Sequence, residues 1–338
     1  MARPDRRVWW NAAGVLLGLV LLVWTFWSVD ARGLYEVLSR SVPAYVALVG
    51  VGTFVIMFAK AWRWYIVITA AEKLTLRLVA LATLIGFLAN AVLPARAGEV
   101  VRVVVLGQRA RVSKTTLLAS MGVDKLLEGA SMVAVLAALP LFSPTPLWFR
   151  SAAWILGGLL AALLVAGAVI GSSREHPWLD RLPLSAHWRE RLASFLAKLS
   201  SGFAALRSPA HLFGALTVAI GIWVLQAFVV WVCLRSVHLD LSVLDAFVVL
   251  MAVNLGGMAP AAPGSVGTFE FSAVVALGFL GVDKTSALAF ALVYHMVQLI
   301  PTVVVGIPAL PLMGIRFREL RQPADSAPTS AEPHQRAG

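Results

Sequence analysis

A chain of 338 residues that is 59% hydrophobic and 13% charged, with a mean hydropathy of +0.84, lies outside the composition of soluble globular domains and reads as an all-α polytopic membrane protein. Its single cysteine, Cys233, excludes an intramolecular disulfide framework and a cysteine-based zinc cluster. The net charge of +11 falls mostly between apolar segments, where topology and anionic headgroups account for it better than nucleic acid, so no nucleic-acid partner is expected.

In chain order, Arg3, Arg6 and Arg7 precede an apolar run from Val8 to about Ser28. The run is longer than a signal-peptide core and carries several tryptophans, so it reads as a first transmembrane helix despite a weak cleavage-like Val29-Asp30-Ala31. A short loop with Arg32 and Arg40 leads to a second span from about Pro43. Its far end sets Lys60 and Arg63 among Trp62, Trp64 and Tyr65, a basic and aromatic grouping that marks an interface. Lys60 and Arg63 are secondary site candidates, as interface anchors or as lipid-phosphate contacts.

The stretch from Leu84 to Arg102 breaks at Pro94 and delivers Asn90, Arg96, Glu99 and Arg102 at or near membrane depth. Lys73 and Arg77 precede it and Arg109, Arg111 and Lys114 follow, which predicts a re-entrant hairpin over about 78–108 that enters and leaves from one face. Arg96, Glu99 and Arg102 share a helix face, so the glutamate can pair with either arginine and leave the other for an anion. The same residues also fit a helix end whose charges snorkel into water. A third full span, about Met121 to Leu139, opens on Asp124, Lys125 and Glu128, with the two carboxylates on one face. If the helix begins near Leu117, these charges lie one to two turns inside and need a partner or a water-filled cavity; if it begins at Glu128, they are interfacial. The apolar run Leu117 to Val123 favours the first.

Ala152 to Gly171 spans back, and 172–209 is the longest polar stretch. Within it Trp188, Leu192, Phe195, Leu199, Phe203 and Leu206 recur at helical spacing opposite Arg189, Arg191 and Lys198, which predicts a cytoplasmic helix lying along the membrane surface. A span from about Leu212 to Leu234 precedes a second broken stretch, about 243–282. There Asn254 leads through Gly256, Gly257, Pro260, Pro263, Gly264 and Gly267 to Glu270. The prolines exclude a continuous helix, and the glycines admit a ligand or a neighbouring helix at close range. The last span, about Ser286 to Met313, carries His295 and Gln298, the histidine either a buried hydrogen-bonded group or a ligand. A Pro-, Ala- and Ser-rich tail, 316–338, is predicted to be disordered.

With both termini cytoplasmic, Arg32, Arg40, Arg150, Arg235 and Lys284 fall outside, Lys125 at membrane depth, and the rest of the 28 Lys and Arg inside. The expected architecture is one integral membrane domain, 1–315, with six full spans and two oppositely directed re-entrant hairpins. It is inverted-repeat-like, although the spacing from asparagine to glutamate differs between the two hairpins. Such folds bind substrate near the midplane, where unwound backbone meets helix ends.

At Asn90-Ala-Val-Leu-Pro94-Ala-Arg96-Ala-Gly98-Glu99-Val-Val-Arg102, at the charged cluster Asp124 to Glu128, and at Pro260-Ala-Ala-Pro263-Gly-Ser-Val-Gly267-Thr-Phe-Glu270, the chain resembles a known family. This is the transmembrane, flippase-like region of bacterial lysylphosphatidylglycerol synthases and their stand-alone relatives, which include hopanoid-associated membrane proteins. The resemblance runs from about Val8 to Met313. The middle motif departs from the family, which usually shows Glu-Arg followed by Asp where this chain has Asp124-Lys125 and Glu128.

The resemblance implies translocation of an anionic or aminoacylated phospholipid, or of a polyprenyl- or hopanoid-type lipid, across a bacterial-type inner membrane. About 25 residues follow Met313, too few for a soluble synthase domain, so aminoacyl transfer by this chain is not expected. Neither enzyme chemistry, nor a metal, nor a cofactor is expected. Arg96 and Arg102 are expected to meet phosphate. Glu99 and Glu270 orient the hairpins or meet a cationic headgroup, and Asp124, Lys125 and Glu128 form a polar path, with Asn90, Asn254, Gly264 and Gly267 at the breaks. Two alternatives stand beside this reading: a non-catalytic partner for a separately encoded lipid synthase or glycosyltransferase, and a lipid-modifying enzyme that uses Glu99, Asp124 or His295 as acid or base.

Overall fold

A computed structural model describes residues 6–27, 29–93, 97–172, 208–258 and 262–317. Among these residues every regular element is helical. The helices are α1 (Arg6–Phe26), α2 (Ala31–Ser39), α3 (Pro43–Thr69), α4 (Leu76–Val92), α5 (Gly98–Ala110), α6 (Lys114–Ala138), α7 (Leu147–Ser172), α8 (Pro209–Ser236), α9 (Val243–Gly256), α10 (Thr268–Phe279) and α11 (Lys284–Leu312).

The helix ends follow local chemistry. Pro43 and Pro209 open α3 and α8, where a missing N–H costs nothing. Thr75 caps α4 through the N–H of Leu78, Ser242 and Asp245 form a capping box on α9, and Asp283 caps α11 through Ser286. α4 stops at Leu93, whose backbone is extended (φ −99°, ψ 144°). The steric demand of the following Pro94 on its predecessor accounts for that stop. The segment between α1 and α3, expected as a loop, is the nine-residue helix α2, because Asp30 turns its carboxylate onto the N–H groups of Arg32 and Gly33.

Three helices, α3, α8 and α11, are long and apolar enough to cross a membrane, and a fourth span is added if α1 and α2, bent by 90°, count as one. These are the features of a polytopic membrane protein. α6, with 25 residues, is nearly as long, but Asp124, Lys125 and Glu128 sit in its middle. α4, α5, α9 and α10 hold 17, 13, 14 and 12 residues, which at about 1.5 Å per residue is short of a hydrocarbon layer of about 30 Å.

α3 and α8 pack along one another as the spine. Two apolar cores flank it, one from α8, α9, α10 and the first half of α11, the other from α4, α5, the end of α3 and the end of α11. α4 folds against α5, and α9 against α10, as two helix–break–helix pairs. The breaks differ in length, 93–97 against 257–267, and the longer one includes the turn Pro263–Ser265. That difference is the unequal asparagine-to-glutamate spacing seen in the sequence.

Each pair closes at a point where only a small residue fits. A Cβ on Gly98 would meet the Gly86 carbonyl oxygen at 1.9 Å, and one on Gly256 would meet Ser272 Oγ at 1.8 Å. α1 joins the body in the same way, since a Cβ on Gly267 (φ +89°) would lie 1.9 Å from the Gly18 oxygen. Lys284 Nζ donates to the Trp24 and Trp27 carbonyls at 3.0 and 2.6 Å and secures the other end of α1. The interfacial helix expected around Trp188 to Leu206 and nearly all of the tail lie outside the described residues.

Candidate functional site

Three helices bring seven charged side chains together: Lys60 and Arg63 from α3, Glu99 and Arg102 from α5, and Asp124, Lys125 and Glu128 from α6. α6 begins at Lys114, so Asp124 lies about 15 Å along the helix, well inside it.

Arg63 and Asp124 form the centre, each with 2% of its side chain exposed. Arg63 Nε donates to Asp124 Oδ1 at 2.7 Å and Nη2 to Oδ2 at 3.2 Å, a two-pronged pairing that matches the planar guanidinium to the carboxylate. The same Nη2 lies 3.3 Å from Glu128 Oε2. Asp124 and Glu128 are one turn apart on α6, so a single guanidinium from α3 spans both. Lys60 Nζ lies 3.8 Å from Glu128 Oε1. Lys125 Nζ bridges Glu128 Oε2 at 2.8 Å and Glu99 Oε1 at 3.1 Å, tying α6 to α5.

Arg102 closes the network from α5. Its Nη2 lies 2.7 Å from Glu99 Oε2 and 3.8 Å from Asp124 Oδ2, and its guanidinium carbon is 4.5 Å from the centre of the Trp64 ring, in cation–π range. Trp64, fully buried, donates its own N–H to Ser120 Oγ at 3.3 Å.

The pairing is unequal. With every group ionised, four cations face three carboxylates, a net charge of one positive. Arg102 is 4% exposed, yet its Nε and Nη2 make no hydrogen bond among the described residues. The 2.7 Å approach to Glu99 is ionic but lacks hydrogen-bond alignment, and Glu99 Oε2 is equally without one. Buried guanidinium N–H groups left in this way cost about 1–3 kcal/mol, more when charged. The arrangement therefore suits an added oxyanion. Lys125, 45% exposed, marks the open edge of the cluster, and the Arg63–Asp124 pair its closed side.

A second polar cluster lies at the other broken pair. Glu270, at the start of α10, accepts the Gly267 N–H at 2.7 Å through Oε2, while its Oε1 lies 2.5 Å from His295 Nδ1 on α11. His295 Nε2 lies 2.9 Å from the Gly264 carbonyl, and Phe269 stacks on the imidazole with centroids 4.4 Å apart. Gly264 takes φ +68°, which a side chain would strain.

The residues singled out from sequence thus divide. Glu99, Arg102, Asp124, Lys125 and Glu128 converge with Lys60 and Arg63, and Gly264, Gly267 and Glu270 converge with His295. Asn90 and Asn254 serve backbone instead: Asn90 Oδ1 accepts the Gly98 N–H at 2.8 Å across the first break, and Asn254 Nδ2 donates to Leu250 one turn back at 2.8 Å. Gln298 is half-buried, one turn beyond His295. Arg96 and Pro260 lie outside the described residues.

Trp64, Ser120 and Gly18 escaped sequence reasoning. Trp64 carries a signal, an aromatic beside a basic residue, but the same pattern also marks an interface belt. A cleft of about 700 Å³ lies elsewhere, lined by Asp30, Glu36, Arg40, His238 and Asp283. Its Asp30 and Asp283 are committed to capping helices, so the charged cluster is the stronger functional candidate.

Fold and site together define an all-helical, polytopic membrane protein with a buried, ion-paired polar centre. The chain belongs to the family described as the lysylphosphatidylglycerol synthase TM region, which matches residues 11–306. It is also similar to a UPF0104 membrane protein of Methanothermobacter thermautotrophicus, 23% identical over 329 residues, an alignment that covers 90% of this chain and 96% of that protein.

Proposed function

We propose that this protein moves the phosphate-bearing headgroup of a membrane lipid across the bilayer. The observation that carries the reading is Arg102, a buried guanidinium with donors unused among the described residues, in a cluster with one cation in excess. An ionised phosphodiester supplies the missing acceptors and charge, and Lys125 at the open edge is the first group such an anion meets. Glu99 and Glu128, each tied to Lys125, are placed to take a cationic substituent on the same headgroup once that lysine turns to phosphate. An aminoacylated phospholipid satisfies both conditions, and an anionic phospholipid the first.

In this reading α1, α3, α6, α7, α8 and α11 are six full spans, and the α4–α5 and α9–α10 pairs are re-entrant hairpins from opposite faces, with both termini cytoplasmic. The short helices and the two breaks support it. The charge of α6 is no obstacle, because its carboxylates are neutralised within the protein. The activity is translocation rather than chemistry: Glu99, Asp124 and Glu128 are all engaged in ion pairs.

The test is a reconstituted-liposome assay with headgroup-labelled phosphatidylglycerol. Wild type is expected to accelerate exchange between leaflets, and Arg102→Ala to lose about tenfold or more of that rate, as expected for one charge-assisted hydrogen bond. No acceleration by wild type, or equal rates for the two proteins, overturns the proposal. In that event, co-purification with a lipid synthase or glycosyltransferase supports a scaffold instead.

A further inference from the structure

We propose that Glu270 and His295 form a proton-binding site that latches the Pro263–Ser265 turn to α11, so that opening of the turn releases one proton. Proton counting at His295 leads to this site. The imidazole is 3% exposed and both of its nitrogens face acceptors: the Gly264 carbonyl at 2.9 Å from Nε2, and Glu270 Oε1 at 2.5 Å from Nδ1. A carbonyl oxygen accepts only, so Nε2 carries a proton. The 2.5 Å contact needs a second proton between Nδ1 and Oε1. The other carboxylate oxygen is no source of it, because Oε2 accepts the Gly267 N–H.

The pair therefore holds two protons, as imidazolium with carboxylate or as neutral imidazole with carboxylic acid, and the count and the net charge of zero are the same in both forms. Loss of one proton to water leaves the pair with one proton and a buried net negative charge. The remaining proton sits on Nε2, setting the Nδ1 lone pair against the carboxylate, or on Nδ1, setting the Nε2 lone pair against the Gly264 carbonyl. Either form contains one acceptor–acceptor contact in a closed site, an uncompensated arrangement of high cost. The closed turn binds a proton that the open turn does not.

The surrounding helices offer no substitute charge. α10 contributes only Glu270, and α11 contributes Tyr294 beside His295, with Lys284 at its start held by the Trp24 and Trp27 carbonyls. α4, which packs on the turn, has Arg77 in its first turn alone, and α9 has Asp245 in its capping box. Among the other helices packed on α11, α3 carries Lys60 and Arg63, both paired with α6, α8 ends in Arg235, paired with Asp240, and α2 carries Arg32 and Glu36. α1, packed on α10, has no charged residue from Gly14 to Phe26.

The turn is also where the two broken pairs meet: a Cβ on Gly264 would sit 3.7 Å from the Ala91 oxygen near the end of α4. Release of the latch thus loosens the contact between the pairs, which gives the protein a route to couple a proton to the exposure of its centre. The inference stands apart from the identity, or even the existence, of a lipid cargo.

The experiment uses the full chain in nanodiscs and follows hydrogen exchange of residues 262–267, corrected for intrinsic rates, from about pH 6 to about pH 9. In wild type the opening equilibrium is expected to rise by about tenfold per pH unit over part of this range, the slope of a one-proton release. Glu270→Gln is expected to stay closed and flat, because its amide N–H₂ donates to Nδ1 of a neutral imidazole while Nε2–H keeps Gly264. ¹⁵N-histidine spectra, with His295 assigned by its loss in His295→Gln, give a second reading in the unmodified chain. A flat wild type, a Glu270→Gln variant with the wild-type slope, or a His295 that shows no titration with the opening overturns the proposal.

Discussion

Asp124 and Arg63 show how much depends on a single pair. Each is almost fully enclosed, and removing one leaves the other without its two-pronged partner, with only Glu128 at 3.3 Å for Arg63 or Arg102 at 3.8 Å for Asp124, a loss of up to about 3–5 kcal/mol. Asp124→Ala is therefore expected to lower the thermal unfolding midpoint in detergent sharply, while the double variant Asp124→Ala with Arg63→Met recovers much of the loss. Equal midpoints for the single variant and wild type would show that the pair does not support the fold. At this scale the sequence was informative about residue type and silent about partners. The spacing of Asp124, Lys125 and Glu128 announced a charged helix face, and the apolar Leu117 to Val123 placed it inside the helix. That Arg63 fills that face was hidden, since α3 and α6 meet only through tertiary packing. Arg63 itself looked like an interface anchor.

At the scale of elements, the broken pairs were legible because proline and glycine act locally. Pro94 ends α4 by constraining Leu93, and the run from Gly256 to Gly267 cannot continue α9. The role of individual glycines was less legible, because close approach depends on a distant chain. Gly98→Ala is expected to force α4 and α5 apart at Gly86 and lower stability, whereas Gly122→Ala, on α6, meets nothing within 4 Å and is expected to gain up to about 1 kcal/mol of helix propensity. Comparing the two unfolding midpoints checks this, and a harmless Gly98→Ala would remove the close approach as the reason for glycine there. α2 is hidden for a related reason: nine residues with Arg32 inside and Arg40 just beyond look like a loop unless Asp30 is recognised as a cap.

Across the whole molecule, composition alone identified the polytopic membrane class, and the family membership agrees with the motifs at both breaks. Span count and direction rest on weaker signals, since α6 is too charged for a plain apolar test and the basic residues report sidedness only statistically. The proposed topology predicts that Lys73→Cys and Asp240→Cys, each in a Cys233→Ala background, react with an impermeant maleimide from opposite sides of the membrane, Lys73→Cys from the cytoplasm. Labelling of both from one side would reverse half of the arrangement. The contact between Gly18 and Gly267 adds a consequence in time. The seat of α1 is built from residues made about 250 positions after it, which at roughly 5–20 residues per second is a delay of roughly 10–50 s. α1 is thus made well before it can dock, and the protein closes around it only when its second broken pair has been synthesised.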